Sequence, residues 1–153
     1  MLRDEIKLKL NEYLKNKDKK SVSTLRLVLA AVKDRDIAAR SNGNNSGISD
    51  DEVKLLLQTM IKQRKESAEI YSKSNRNDLE KKENDEIEII EQYMPSQIDD
   101  EEVDELINQV INETGSSNIR DMGKVMSVLK EKYSGQMDFA RASSIVKEKL
   151  NSQ

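Results

Sequence analysis

The apolar residues of this chain recur every three or four positions, which is the period of an amphipathic α-helix. No run of alternating β-branched residues indicates a strand. The pattern predicts an all-α protein with seven helices, at about 2–15, 22–40, from 50, from 77, from 99, around 123 and from 138. Pro95, the single proline, ends the fourth helix. The sequence therefore predicts a four-helix N-terminal domain, residues 1–95, and a small three-helix C-terminal domain, residues 96–153.

Capping and turn-forming residues mark several helix ends. Asn77 and Asp99 are each followed three residues later by a glutamate, which predicts a helix start at each position. Gly115 predicts the end of the fifth helix. Residues 41–47 consist of serine, asparagine and glycine, so they predict a flexible surface loop.

Two charged residues interrupt the apolar stripes of neighbouring predicted helices. Arg64 lies in the stripe of the third helix and Glu83 in that of the fourth. In a hairpin that turns near Ser74-Asn75, a rise of about 1.5 Å per residue brings them level to within about 3 Å. The sequence predicts a structural ion pair between Arg64 and Glu83, which fixes the register of the two helices rather than forming a site.

The composition excludes several classes of enzyme. The chain has no cysteine and no histidine, which removes thiol chemistry, disulfides, the usual general base and the usual metal ligand. A catalytic site would have to be built from carboxylates, lysines, serines or tyrosines alone. The acids within residues 99–105 fit a helix start better than a calcium loop. We therefore predict a protein that is not an enzyme and holds no metal or cofactor.

The sequence shows no sign of a membrane partner or of export. No apolar stretch approaches the roughly 18 residues that span a membrane. Residues 1–14 are charged and amphipathic, unlike a signal peptide. We therefore predict a cytoplasmic protein.

Charge is distributed unevenly along a chain whose net charge is −3. Residues 1–40 contain 11 basic and 6 acidic residues, a balance of +5, and residues 114–153 contain 7 and 4, a balance of +3. Residues 76–113 contain 3 and 14, a balance of −11. Patchy charge is ordinary for a soluble protein, but this arrangement also offers nucleic acid two basic surfaces.

Gly123 lies inside a predicted helix, where glycine costs about 1 kcal/mol relative to alanine. We therefore expect either another helix or a polymer backbone to approach this position closely, and Lys124 beside it would meet the charge of a phosphate. Few aromatic residues accompany the basic ones, so shape recognition of folded RNA is expected rather than base stacking. The candidate RNA-binding residues are Arg120, Gly123, Lys124, Lys130, Lys132 and Lys147, with Lys65 and Arg76 extending the surface.

Several short motifs, taken in order, resemble those of the YqeY family, relatives of the tail domain in the B subunit of tRNA-dependent amidotransferase. The resemblance covers nearly the whole chain and rests on Lys62-Gln63-Arg64-Lys65-Glu66-Ser67, Tyr71, Arg76 with Asp78-Leu79, Glu83, Glu86, Tyr93-Met94-Pro95, Met122-Gly123-Lys124-Val125-Met126, Gly135, Asp138, and Val146 to Leu150. Two features depart from the family pattern. Phe139 stands where many members have glycine, and the loop 41–49 is longer.

The resemblance implies an all-α fold and a connection with tRNA. In the amidotransferase the related tail domain is held to contact tRNA, while amide transfer occurs in domains that this chain lacks. Similar domains are appended to some glutaminyl-tRNA synthetases. The family often carries the label of carbon-nitrogen ligase with glutamine as amido-N-donor, a reaction for which this sequence has no catalytic constellation.

Three hypotheses follow for the function. The first is an accessory protein that binds tRNA by shape and phosphate contacts, in connection with tRNA-dependent amidation or aminoacylation. The second is a helical adaptor that docks onto a synthetase or amidotransferase subunit without binding RNA. The third, an enzyme, would need a deep pocket that holds Arg64 and Glu83 in solvent.

Overall fold

The computed structural model describes residues 1–151, and all regular structure in that range is helical. The all-α fold predicted from the sequence, with seven α-helices, is confirmed. They are α1 (Leu2–Lys15), α2 (Lys19–Arg40), α3 (Asp50–Lys73), α4 (Asn77–Glu91), α5 (Asp100–Thr114), α6 (Met122–Lys132) and α7 (Phe139–Asn151), with a 3-10 helix, Ile119–Asp121, directly before α6. Within residues 1–151 no helix is long and apolar enough to cross a membrane.

The chain divides into two compact units. The first unit runs from Met1 to Met94 and holds α1 to α4, and the second unit begins at Pro95 and holds α5 to α7. In the first unit, α1 packs on α2, and α3 forms a tight hairpin with α4. Ile6, Leu25, Leu57 and Ile90 come from four different helices and are each 0% exposed, so all four helices share one apolar core.

Polar contacts anchor the end of the loop that joins α2 to α3. The guanidinium of Arg3 donates to the carboxylate of Asp36 at 2.7 Å and to the carbonyl oxygen of Ile48 at 2.7 Å. The backbone N–H of Ile48 donates to Asp36 at 2.8 Å. The hydrogen bond from Arg3, and then that from Ile48, hold the pKa of the Asp36 carboxyl below its usual value. The segment predicted as a flexible loop is therefore tied to α1 and α2 where it enters α3.

The predicted partner of Arg64 is wrong by about one helical turn. Nε of Arg64 donates to Glu86 at 2.9 Å, and Nη1 donates to the carbonyl oxygen of Met60 at 3.2 Å. The hairpin turns at Asn75, a residue with φ of 59°. Arg64 and Glu86 each lie eleven residues from Asn75, whereas Glu83 lies only eight residues away. The expected pair had arms of unequal length on either side of the turn, whereas the observed pair of Arg64 and Glu86 has equal arms.

Two helix starts also differ from the prediction. Helix α2 begins at Lys19, a turn before the first apolar position, because the carboxylate of Asp18 accepts from the backbone N–H of Ser21. Helix α4 begins at Asn77, but Arg76 occupies the cap position and no side-chain cap forms. Apolar periodicity locates the body of a helix, whereas the cap decides its first turn.

The second unit packs three short helices around their own core. Its fully buried residues include Ile107 of α5, Val125 and Leu129 of α6, and Val146 of α7. Asp99 caps α5 as predicted, by accepting from the backbone N–H of Glu102 at 2.8 Å, and Gly115 ends this helix in the left-handed conformation.

The start of α7 accommodates the Phe139 departure from the family pattern. Asp138 lies just before the helix, and its carboxylate accepts from the backbone N–H of Ala140 at 3.0 Å. Phe139 is half-buried and packs against the core of the second unit. An aromatic residue at this position therefore adds apolar contact while the aspartate retains its capping hydrogen bond.

Candidate nucleic-acid interface

Gly123 occupies the second position of α6 rather than the middle of a longer helix. The predicted helix is interrupted because residues Ile119–Asp121 form a 3-10 turn, in which Asn118 and Asp121 exchange capping hydrogen bonds. A Cβ built on Gly123 would meet no neighbouring atom within 4 Å among the residues that the structure describes. Among the described residues, therefore, no other helix packs so closely on this position that it requires glycine, and the space beside Gly123 is open.

Gly123 belongs to an exposed line along α6. Ser127 and Lys130 follow it at spacings of four and seven residues, and all three are exposed. Seven residues of α-helix extend about 10 Å. Val125 and Leu129 point the other way, into the core of the second unit. The outer side of α6 thus presents two small residues followed by a lysine.

Basic side chains flank this line. Arg120 precedes it in the 3-10 turn and Lys124 lies beside Gly123, and both are exposed. The nearby acid, Asp121, accepts hydrogen bonds from the backbone N–H groups of Ser117 and Asn118, which hold the pKa of its carboxyl below the usual value. We call Arg120, Gly123, Lys124, Ser127 and Lys130 the α6 face. Ser127 was not predicted, because a serine among charged residues gives no signal until its helix face is known.

Lys124 also has a structural contact. Its ammonium group donates to the carbonyl oxygen of Thr114, the last residue of α5, at 2.9 Å. Helix α5 has no basic residue in its own last turn. A cation there compensates the negative end of the helix dipole. A phosphate at Lys124 would therefore compete with this carbonyl.

Other basic residues of the second unit are paired with α5. Ion pairs join Arg141 to Asp100 at 2.9 Å, Lys149 to Asp104 at 3.1 Å and Lys132 to Glu113 at 3.4 Å. Lys132, a predicted phosphate contact, is thus partly neutralised within the chain. Lys147 is exposed and stands outside these three pairs.

The two remaining candidates belong to the first unit. Lys65 is exposed on α3, and Arg76 precedes α4, where it pairs with Asp78 at 3.4 Å. Arg76 also lowers the pKa of the Asp78 carboxyl. The structure thus brings together Arg120, Gly123, Lys124 and Lys130 on the α6 face, whereas Lys65 and Arg76 lie in another unit.

The enzyme hypothesis requires a deep pocket that holds Arg64 and Glu83 in solvent, and the structure arranges Arg64 differently. Arg64 is committed to Glu86 and to a backbone carbonyl, and the side chains of both partners are only 15% exposed. Within residues 1–151 no group of three or more acidic side chains is arranged to hold a metal ion.

These features define an all-α protein of two helical units, the second of which exposes a helix face with small and basic residues. The chain belongs to the family described as Yqey-like protein, whose sequence profile matches residues 3–150. It is also similar to "Altered inheritance of mitochondria protein 41, mitochondrial" of Lachancea thermotolerans, with 32% identity over 115 residues. The matched segment covers 74% of this chain and 59% of that protein.

Neither the family description nor the relative's name specifies a reaction. The relative's name assigns that protein to mitochondria, so a cytoplasmic location for the present chain stays a prediction.

Proposed function

We propose that this protein binds tRNA through the α6 face and acts as an accessory factor rather than a catalyst. One observation carries the proposal: Gly123 is exposed in the first turn of α6, with open space where a Cβ would lie and basic side chains on both sides. Within the described residues, neither close packing nor a positive φ requires glycine at this position. A ligand backbone that approaches the helix closely would account for it.

The chemistry of the face suits a phosphodiester backbone. Gly123 and Ser127 keep the helix surface low over about two turns, while Arg120, Lys124 and Lys130 supply charge around it. Basic side chains bind phosphate largely through release of counterions, so binding should weaken steeply with salt. The absence of an exposed aromatic platform on this face favours recognition of folded RNA by shape.

The connection with tRNA-dependent amidation or aminoacylation rests on the family resemblance. In this proposal the protein supplies RNA contacts, and a separate enzyme performs the chemistry. The label of carbon-nitrogen ligase would then describe the family's association and not an activity of this chain.

The proposal is tested by titrating labelled tRNA with the full-length protein and following fluorescence anisotropy. Measurements at about 50 mM and about 200 mM salt give the slope of log K against log salt, which reports the number of phosphate contacts. The Arg120→Gln/Lys130→Gln variant should bind at least about tenfold more weakly and lose about two units of salt slope. Unchanged affinity and slope would refute the assignment of the α6 face.

A matched control separates the face from net charge. Arg141→Gln/Lys149→Gln removes the same two positive charges, but from side chains that already pair with Asp100 and Asp104. This variant should change tRNA affinity by less than about threefold, because its charges are already compensated. Equal losses in both double variants would indicate attraction by net charge alone and no defined face.

Gly123 provides a second test with opposite effects on folding and binding. Gly123→Ala should leave the second unit as stable or stabilise it by up to about 1 kcal/mol, since alanine is the better helix former. Gly123→Leu should still fold, because open space adjoins the position, but should weaken tRNA binding by blocking close approach. Full affinity in the leucine variant would contradict the close-approach role.

The adaptor hypothesis has one observation in its favour. Ile119, which precedes Arg120 in the 3-10 helix before α6, is 42% exposed. An apolar side chain there suits a protein interface, whose binding would vary little with salt. If tRNA does not bind at low salt, the same face is tested with Ile119→Ser in pull-downs with a synthetase or amidotransferase subunit.

A further inference from the structure

A groove in the first unit lies between the start of α2 and helix α4. Lys19, Lys20, Ser23 and Thr24 line it from α2, and Lys81 and Lys82 line it from α4. Its volume is about 390 Å³, within the range of small-ligand sites. Four lysines and two hydroxyl-bearing residues therefore surround one concave space.

The carboxylates of this groove are each compensated by a basic partner. Asp85 pairs with Lys20 at 3.0 Å, Glu86 with Arg64 at 2.9 Å and Asp78 with Arg76 at 3.4 Å. Two of those partners, Arg64 and Arg76, do not line the groove. Their charges therefore offset two acidic side chains without using the lysines of the groove.

Three lysines of the groove have no such partner. Lys19, Lys81 and Lys82 are exposed, and among residues 1–151 no carboxylate forms an ion pair with them. Lys81 and Lys82 lie one turn after Asp78 on the same face of α4, opposite Lys19 on α2. Like charges facing one concave space repel each other, and an anion between them would relieve that repulsion.

We propose that the groove between α2 and α4 binds a phosphate-bearing anion, with Lys19, Lys81 and Lys82 as the charged contacts. An ammonium group offers three donors to phosphate oxygens, and Ser23 and Thr24 add hydroxyl groups at the wall on the α2 side. The site belongs to the first unit and does not depend on RNA binding by the α6 face. The phosphate can belong to a small molecule or to an RNA backbone, since both present the same group.

The test uses the full-length, isotope-labelled protein and inorganic pyrophosphate as the probe, with sodium chloride at matched ionic strength as the reference. Amide and lysine side-chain NMR signals of Lys19, Ser23, Lys81 and Lys82 should shift saturably with pyrophosphate. Lys81→Gln/Lys82→Gln should weaken the fitted affinity about fivefold, as expected for the loss of two partly exposed charge contacts. Shifts that fail to saturate, or that persist unchanged in this variant, would overturn the site.

The control variant is Lys7→Gln/Lys33→Gln, which removes two exposed lysines of the same unit that lie outside the groove. It should bind pyrophosphate like the wild type. A loss of affinity equal to that of Lys81→Gln/Lys82→Gln would mean that net charge alone determines binding, and would overturn the site. Adding tRNA then distinguishes the sources of phosphate. Displacement of pyrophosphate by tRNA assigns the groove to an RNA backbone, and retention of both ligands assigns it to a small phosphorylated molecule.

Discussion

Replacing Gly47 by alanine should destabilise the first unit, for two separable reasons. Gly47 has φ of 90°, a conformation that side chains with a Cβ rarely adopt. An added Cβ would also lie 2.9 Å from Oδ1 of Asp36 and 3.2 Å from both terminal nitrogens of Arg3. The first effect is backbone strain, and the second displaces the ion pair that anchors the loop to α1 and α2.

The two effects have different expected sizes. Alanine in the left-handed region costs about 1–2 kcal/mol. Displacing Arg3 and Asp36 loosens a charge-assisted contact whose side chains are 17% and 18% exposed, and we expect this to add about 1–2 kcal/mol. The total loss for Gly47→Ala is therefore about 2–4 kcal/mol in the free energy of unfolding of the first unit.

Gly43 supplies the matched control. It lies in the same loop with φ of 88°, but a Cβ there would meet nothing within 4 Å among the described residues. Gly43→Ala should therefore show only the backbone cost. Native-state hydrogen exchange of the slowest amides in α2 and α3 measures the opening free energy of the first unit separately from the second. Equal losses in the two variants would refute the role assigned to the contacts of Gly47 with Asp36 and Arg3.

Two further predictions concern charged contacts of the first unit. Asp36→Asn should lower the free energy of unfolding near neutral pH. The pKa of Asp36 is lower in the folded state than in the unfolded state. The stability that the Asp36 carboxylate contributes is therefore complete above about pH 4 and is lost as the pH falls through the folded-state pKa. Urea midpoints of variant and wild type should therefore converge as the pH falls below about 4, and a constant gap would contradict this. Glu86→Gln should lower the free energy of unfolding by about 1–2 kcal/mol, because it weakens the pair with Arg64. Glu83→Gln should change it by less than about 0.5 kcal/mol. A larger loss for Glu83→Gln than for Glu86→Gln in urea unfolding would favour the pairing predicted from sequence.

Periodicity and caps were sufficient to predict most of the fold. The first helix, at about 2–15, and the start of the third at Asp50 agree with the structure, as does the cap of α5 at Asp99. These features depend on residues close together in sequence. The partner of Arg64 depends instead on how the two arms of the hairpin align across the turn at Asn75, which local sequence does not fix to within one helical turn.

The candidate site was less predictable, because its residues owe their roles to contacts distant in sequence. The position of Lys124 beside Gly123 predicts a phosphate contact, yet its ammonium group donates to the carbonyl oxygen of Thr114 on another helix. The sequence likewise predicts Lys132 as a phosphate contact, but its ammonium group lies 3.4 Å from the carboxylate of Glu113 on α5. No count of charges along the chain distinguishes such paired lysines from unpaired ones.

Ion pairs between helices explain how an acidic protein can present basic surfaces. Helices α4 and α5 share the acids that give the middle of the sequence its negative balance. In α5, Asp100, Asp104 and Glu113 form ion pairs with basic residues of α6 and α7. Those pairs use Lys132, Arg141 and Lys149, whereas Arg120 and Lys130 are exposed on the α6 face. In the first unit, Arg64 and Arg76 similarly neutralise acids of α4 while three lysines remain in the groove. Net charge is therefore a poor guide to what this protein binds, and variants matched in charge but differing in pairing are the informative ones.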